Sequence, residues 1–212
     1  MINQKNTQQI QGAIGELEVI LDFPENAVTD RFAILCHPHP LYGGTMQNKV
    51  VSTMARTCHD LGIPSIRFNF RGIGQSQGEY DDAKGEVEDC LAVLHYIQQH
   101  YPCRKIWLMG FSFGAYIAAK AASIASPELL VTIAPPVGKD YFGELPDRNA
   151  AWILVQAQDD EIIDANAVFN WYENLNHQPI LIRFEQAGHF FHGNLVTLRE
   201  RLTLVIKKCL NQ

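Results

Sequence analysis

Ser112 lies between two glycines, Gly110 and Gly114, at the end of the apolar run Lys105–Phe111 and just ahead of Ala115-Tyr116-Ile117-Ala118-Ala119-Lys120-Ala121-Ala122. A serine on a sharp turn from strand into helix presents its hydroxyl as a nucleophile, and the turn closes only when the residues two before and two after are small. Chance is a weak alternative. With Gly and Ser each near ~7% of residues, Gly-x-Ser-x-Gly arises about 0.07 times in a chain of this length. A serine hydroxyl still needs a base, and the base needs a third group to orient it. Two later segments carry those residue types: Gln158-Asp159-Asp160-Glu161 with Asp164, and Gly188-His189-Phe190-Phe191-His192-Gly193. A further segment, His37-Pro38-His39-Pro40-Leu41-Tyr42-Gly43-Gly44, has two prolines and two glycines that work against regular structure.

These segments need elements to position them. Ala13 to Leu21 alternates apolar and polar residues and predicts an antiparallel strand with one wet face, after a frayed start. Arg31 to Cys36, Ile63 to Phe70, Lys105 to Phe111, Leu129 to Ala134, Ala151 to Ala157 and Pro179 to Phe184 predict further strands. The near-continuous apolar run Arg31 to Cys36 is that of a central strand buried on both faces, and Leu129 to Ala134 reads as another. Between them lie predicted helices from Thr45 to Leu61 (stopped by Gly62), Asp81 to His100, Ala115 onward, Asp164 to Leu175 and Asn194 to Leu210. The alternation predicts an α/β fold with a mostly parallel central sheet and helices on both faces, as a single domain over 1–212. Loops at the carboxyl ends of such strands meet along one edge. Ser112, the acidic cluster and the His189 loop all fall there, in the order Ser…Asp…His that this kind of turn predicts.

The chain has 212 residues, 47% hydrophobic and 19% charged, with a net charge of −6. That composition is ordinary for a globular protein and gives no basic footprint for nucleic acid or an anionic membrane surface. No apolar run is long enough for a transmembrane segment, and Met1 to Gln11 lacks the order of a signal peptide. Five scattered cysteines without a Cys-x-x-Cys pair favour reduced thiols and a cytoplasmic location. The glycines at 72, 74 and 78 are spaced one residue too long for a dinucleotide loop.

The chain resembles an α/β-hydrolase, and more narrowly the small bacterial branch of esterase-like hydrolases that lacks a cap domain. The resemblance runs from about Gly12 to the last helix. It is carried by His37-Pro38-His39-Pro40…Gly43-Gly44, Arg67-Phe68-Asn69-Phe70-Arg71-Gly72…Gly74…Ser76, Gly110-Phe111-Ser112-Phe113-Gly114 and Gly188-His189-Phe190-Phe191-His192-Gly193. It implies Ser112 as nucleophile, Asp160 as acid in preference to Asp159, Glu161 or Asp164, and His189 as base in preference to His192. Asp164 reads instead as a helix N-cap. The resemblance also places the oxyanion-hole amides at Phe113 and His39. Pro38 and Pro40 have no N–H, so within that segment His39 or Leu41 must donate.

Cap domains of this fold are inserted after the strand matching Leu129–Ala134. Only residues 135–149 follow here before the next strand, which predicts an open cleft lined by Leu41, Tyr42, Tyr141 and Phe142. No cofactor is implied. Eight histidines raise a metal site, but a metal needs a full ligand set, and the serine machinery and loop architecture account for His189 and His37, so none is expected. The expected partner is a small-molecule or acyl substrate, and the expected reaction is acyl transfer to water by a carboxylesterase or thioesterase. A peptidase or amidase with the same nucleophile, or a non-catalytic binding protein on the same fold, are the alternatives.

Overall fold

A computed structural model describes residues 7–28, 30–138 and 150–210. Its centre is one eight-stranded sheet in the order β1-β2-β4-β3-β5-β6-β7-β8. The strands are β1 (Thr7–Gln11), β2 (Glu16–Asp22), β3 (Arg31–Cys36), β4 (Ser65–Phe68), β5 (Lys105–Phe111), β6 (Leu129–Ile133), β7 (Ala151–Ala157) and β8 (Ile180–Phe184). β2 runs against both of its neighbours, and the ladder from β4 to β8 is parallel throughout. The helices are α1 (Lys49–Asp60), α2 (Lys84–His100), α3 (Phe113–Ala125), α4 (Ala165–Glu173) and α5 (Leu195–Leu210).

The apolar runs have a direct explanation in two cores. Successive strand side chains point to opposite faces. In β5, Ile106 and Leu108 enter the core shared with α2 and α3, whereas Trp107, Met109 and Phe111 enter the core shared with α1 and α5. β3 divides in the same way, with Phe32, Ile34 and Cys36 on one side and Ala33 and Leu35 on the other. A strand that serves two cores leaves few positions for polar residues, so the alternation is largely lost.

Several boundaries differ from the sequence reading. The polar segment Thr7–Gln11 is an edge strand, antiparallel to β2, and only Ile10 of it is buried. α1 starts at Lys49, not Thr45, because Asn48 caps it by accepting the Val50 N–H at 2.8 Å. α2 starts at Lys84, not Asp81, because Asp82 and Ala83 take positive φ (45° and 70°) in a turn that the helix cannot include. Asp164 does cap α4, accepting from the N–H groups of Asn166 and Ala167.

The sequence signature after β4 holds loops together. Asn69 Oδ1 accepts the Met46 N–H at 2.9 Å and its Nδ2 donates to Glu18 at 2.7 Å; Ser76 Oγ donates to the Asn69 carbonyl at 2.7 Å. Arg71 is buried and forms a fork on Asp89 of α2, with Nη2 to Oδ1 at 2.8 Å and its main-chain N–H to Oδ2 at 2.9 Å. The guanidinium lies on Gly85, where a Cβ would come within 2.0 Å of Nη1. These residues anchor the loop beside the site. They are not reactive groups.

Candidate active site

Ser112 joins β5 to α3 with φ 54° and ψ −122°, a conformation that side chains other than glycine rarely adopt. Two close approaches enforce it. A Cβ on Gly110 would lie 2.0 Å from the carbonyl oxygen of Gly114, and one on Gly114 would lie 2.4 Å from the Cys36 oxygen and 2.5 Å from that of His37. The Ser112 N–H is tied to the Ile133 carbonyl at 2.8 Å, which fixes the turn against β6. A serine at a helix start ordinarily caps it. Ser112 makes no side-chain cap bond, so its hydroxyl is not engaged in holding α3. The N–H groups of Phe113 and Gly114 open α3, where no preceding turn supplies a carbonyl.

Two loops further along the edge, Asp160 and His189 meet. His189 Nδ1 lies 2.9 Å from Oδ2 and 3.1 Å from Oδ1 of Asp160, with the side chains 2% and 0% exposed. Burial pushes the Asp160 carboxyl up. The His189 hydrogen bond and the N–H groups of Ile163 (2.7 Å) and Ile162 (2.9 Å) outweigh that and hold it below the ordinary value. Gln156, fully buried in β7, adds a fourth donor through Nε2 at 3.2 Å. The His189 ring is flanked by Phe111 and Phe190, with centroids at 4.9 and 5.0 Å. Asp159 is exposed, and Glu161 Oε2 accepts the main-chain N–H of His189. His192 is exposed beside Phe190 and lies outside the Asp160–His189 pair.

The loop after β3 is held from inside by His37. Its ring is fully buried, Nε2 accepts the Phe70 N–H at 3.0 Å, and Nδ1 faces the Pro38 carbonyl at 2.6 Å. Pro40–Tyr42 forms one 3-10 turn in a segment expected to be irregular. The Leu41 N–H is engaged by His39 Nδ1 at 3.3 Å. The His39 ring packs against Phe113 (4.7 Å), Tyr42 (4.8 Å) and Tyr80 (5.2 Å), which ties this loop to the residue after Ser112. Leu41 and Tyr42 are 65% and 86% exposed, and Tyr141 and Phe142 lie outside the described residues.

A sequence profile of the alpha/beta hydrolase fold matches residues 35–136. A serine hydrolase homologue from Coxiella burnetii is 43% identical, with a TM-score of 0.91 and 96% of this chain and 97% of that one covered. The chain belongs to the α/β-hydrolase family. XC6422 from Xanthomonas campestris, described as a serine hydrolase without a lid, is 40% identical with a TM-score of 0.91, over 95% of this chain and 93% of that one. The uncharacterized protein RP471 of Rickettsia prowazekii (strain Madrid E) is 34% identical over 195 residues, 82% of each chain. The α/β-hydrolase branch in question is thus the one without a lid, and the mostly parallel sheet with helices on both faces is its fold.

Gln156 and Glu161 gained roles that the sequence reading did not give them. A polar side chain inside a buried strand was the available sign for Gln156. Glu161 gave no sign, because its partner is a main-chain group 28 residues away.

Proposed function

We propose that this α/β-hydrolase is a carboxylesterase or thioesterase that transfers an acyl group to water through Ser112, His189 and Asp160. His189 Nε2 takes the Ser112 proton as Oγ attacks the acyl carbonyl. The amides of Phe113 and His39 hold the oxyanion, an effect usually worth several kcal/mol of barrier. The leaving alcohol or thiol departs with the proton from His189. Water then attacks the acyl-serine, losing its proton to His189, which returns it to Ser112 Oγ as the acyl–oxygen bond breaks and the carboxylic acid leaves. Asp160 keeps the proton of the neutral imidazole on Nδ1 and stabilises the cation that forms.

The bond from His189 Nδ1 to Asp160 carries this reading, because it fixes the tautomer that a base working through Nε2 requires. The second oxyanion amide is assigned to His39, as the resemblance places it; the Leu41 N–H donates to His39 Nδ1 at 3.3 Å. Five free cysteines fit a cytoplasmic setting. Tyr141 and Phe142 are assigned to the cleft only by their place between β6 and β7.

The test is labelling by a fluorophosphonate probe alongside turnover of short p-nitrophenyl esters, acyl thioesters and aminoacyl amides. The wild type should label and turn over esters or thioesters, and Ser112→Ala should do neither. Labelling that persists in Ser112→Ala would remove Ser112 from the reaction. Turnover of amides alone would reassign the protein as an amidase.

A further inference from the structure

Asp160 and Glu161 are consecutive, and each holds His189 by a different part. Asp160 binds the ring, while Glu161 Oε2 accepts the main-chain N–H at 3.0 Å. An exposed glutamate is usually a solvated surface group. Here its carboxylate is turned back onto the loop that carries the base.

Gly188, next to His189, leaves room for this contact. A Cβ at Gly188 would lie 2.5 Å from Glu161 Oε2, 3.3 Å from Cδ and 3.5 Å from Oε1, and no other group ranks among its three nearest atoms. Gly188 is also absent from the positive-φ glycines, so its backbone would accept an ordinary residue. The carboxylate therefore occupies the space that a side chain before the histidine would fill. Ala187 and Phe191 pack into the core, and the loop's other hydrogen bonds run within it, from the Phe191 N–H to the Gly188 carbonyl at 3.0 Å and from Asn194 Nδ2 to the Gln186 carbonyl at 3.0 Å. Neither bond fixes the loop against the acid.

We infer that Glu161 is a positioning residue for the base. Its charge-assisted bond sets the His189 main chain, Asp160 sets the ring, and the two together place Nε2 for Ser112. This rests on the acyl-transfer reading above. A misplacement of a catalytic group by about 1 Å can cost up to ~10²-fold, and loss of one of two ties should give about a tenfold effect.

The experiment compares wild type with Glu161→Ala, Glu161→Gln, Gly188→Ala and the Glu161→Ala/Gly188→Ala double variant. It reads kcat and KM for p-nitrophenyl acetate, the fluorophosphonate labelling rate and Tm. Glu161→Ala should lower kcat and the labelling rate about tenfold, with KM changed less than about twofold and Tm nearly unchanged. Glu161→Gln, whose amide oxygen can accept the same N–H, should recover most of the loss. Gly188→Ala should be harmful alone and add less than about twofold once Glu161 is gone. A Glu161→Ala enzyme with wild-type kcat and labelling that still depends on Ser112 would overturn this inference alone. Equal harm from Gly188→Ala in both backgrounds would do the same. Wild-type protein lacking Ser112-dependent labelling would overturn the acyl-transfer reading and this inference with it.

Discussion

His37 Nε2 accepts the Phe70 main-chain N–H, and this bond helps stitch the loop after β3 to the segment that follows β4. The acceptor role leaves the proton on Nδ1, which donates to the Pro38 carbonyl, so the buried ring is neutral and in one tautomer. Burial pulls its pKa from the ordinary 6.5 to about 3.

A stability slope in acid follows from that shift. The unfolded chain protonates His37 below pH 6.5, whereas the folded protein does so only near pH 3. The contribution of His37 is therefore fully present above 6.5 and is lost as pH falls from there toward 3. Urea unfolding at pH 7.5 and pH 4.5 should show wild type losing more stability than His37→Gln over that interval. Equal losses in the two proteins would count against a neutral buried ring.

Asp160→Asn keeps an oxygen for the Ile162 and Ile163 N–H groups and so should keep the fold. Its amide would present a donor to His189 Nδ1, drive the imidazole into the other tautomer and leave Nε2 protonated. Ester turnover should fall by about 10³–10⁴-fold, by analogy with the loss of tautomer control in serine proteases. Steady-state kinetics with circular dichroism checks both halves, and a loss below tenfold would exclude Asp160 as the orienting acid.

The Arg71–Asp89 fork is a buried ion pair; Glu88 (3.2 Å) and Asp81 (3.9 Å) also reach the guanidinium but are exposed, so removing Asp89 leaves the buried charge poorly compensated. Asp89→Leu should destabilise by roughly 3–5 kcal/mol, and adding Arg71→Met should return much of it, because two apolar residues replace the pair without a stranded charge. Chemical denaturation of the three variants measures this. A double variant as unstable as the single one would mean that Arg71 acts through its other contacts.

Gly114→Ala forces a Cβ against the carbonyl oxygens of Cys36 and His37, which are backbone atoms that cannot rotate away. Overpacking of this kind costs about 1–3 kcal/mol or more. The variant should show a lower Tm or fail to accumulate as soluble protein. A wild-type Tm would mean that α3 can slide on β3.

β3, β5 and β7 were legible because a strand buried on both faces writes itself as an apolar run, and the Ser112 turn was legible because its glycines answer to contacts within the same short segment. β1 was not, since four of the five residues of Thr7–Gln11 face solvent and only Ile10 reaches the core. The late start of α2 was hidden for another reason: Ala83 and Lys84 look like helix formers, yet Asp82 and Ala83 take positive φ in the turn before the helix. Within the site, residue type sufficed to narrow the candidate acid and base to short segments. Glu161 could not be read that way, because a carboxylate bonded to a distant main-chain N–H leaves no pattern in its own neighbourhood.

On the acyl-transfer reading, the left-handed backbone at Ser112 sets activity and robustness against each other. Holding a non-glycine residue there costs on the order of 1–3 kcal/mol, and Ser112→Gly removes that penalty together with the hydroxyl. The inactive variant should then melt at a higher temperature than the native enzyme. Any selection scored on thermal survival alone would drift toward a dead catalyst, so stabilising this enzyme calls for an activity readout at every round.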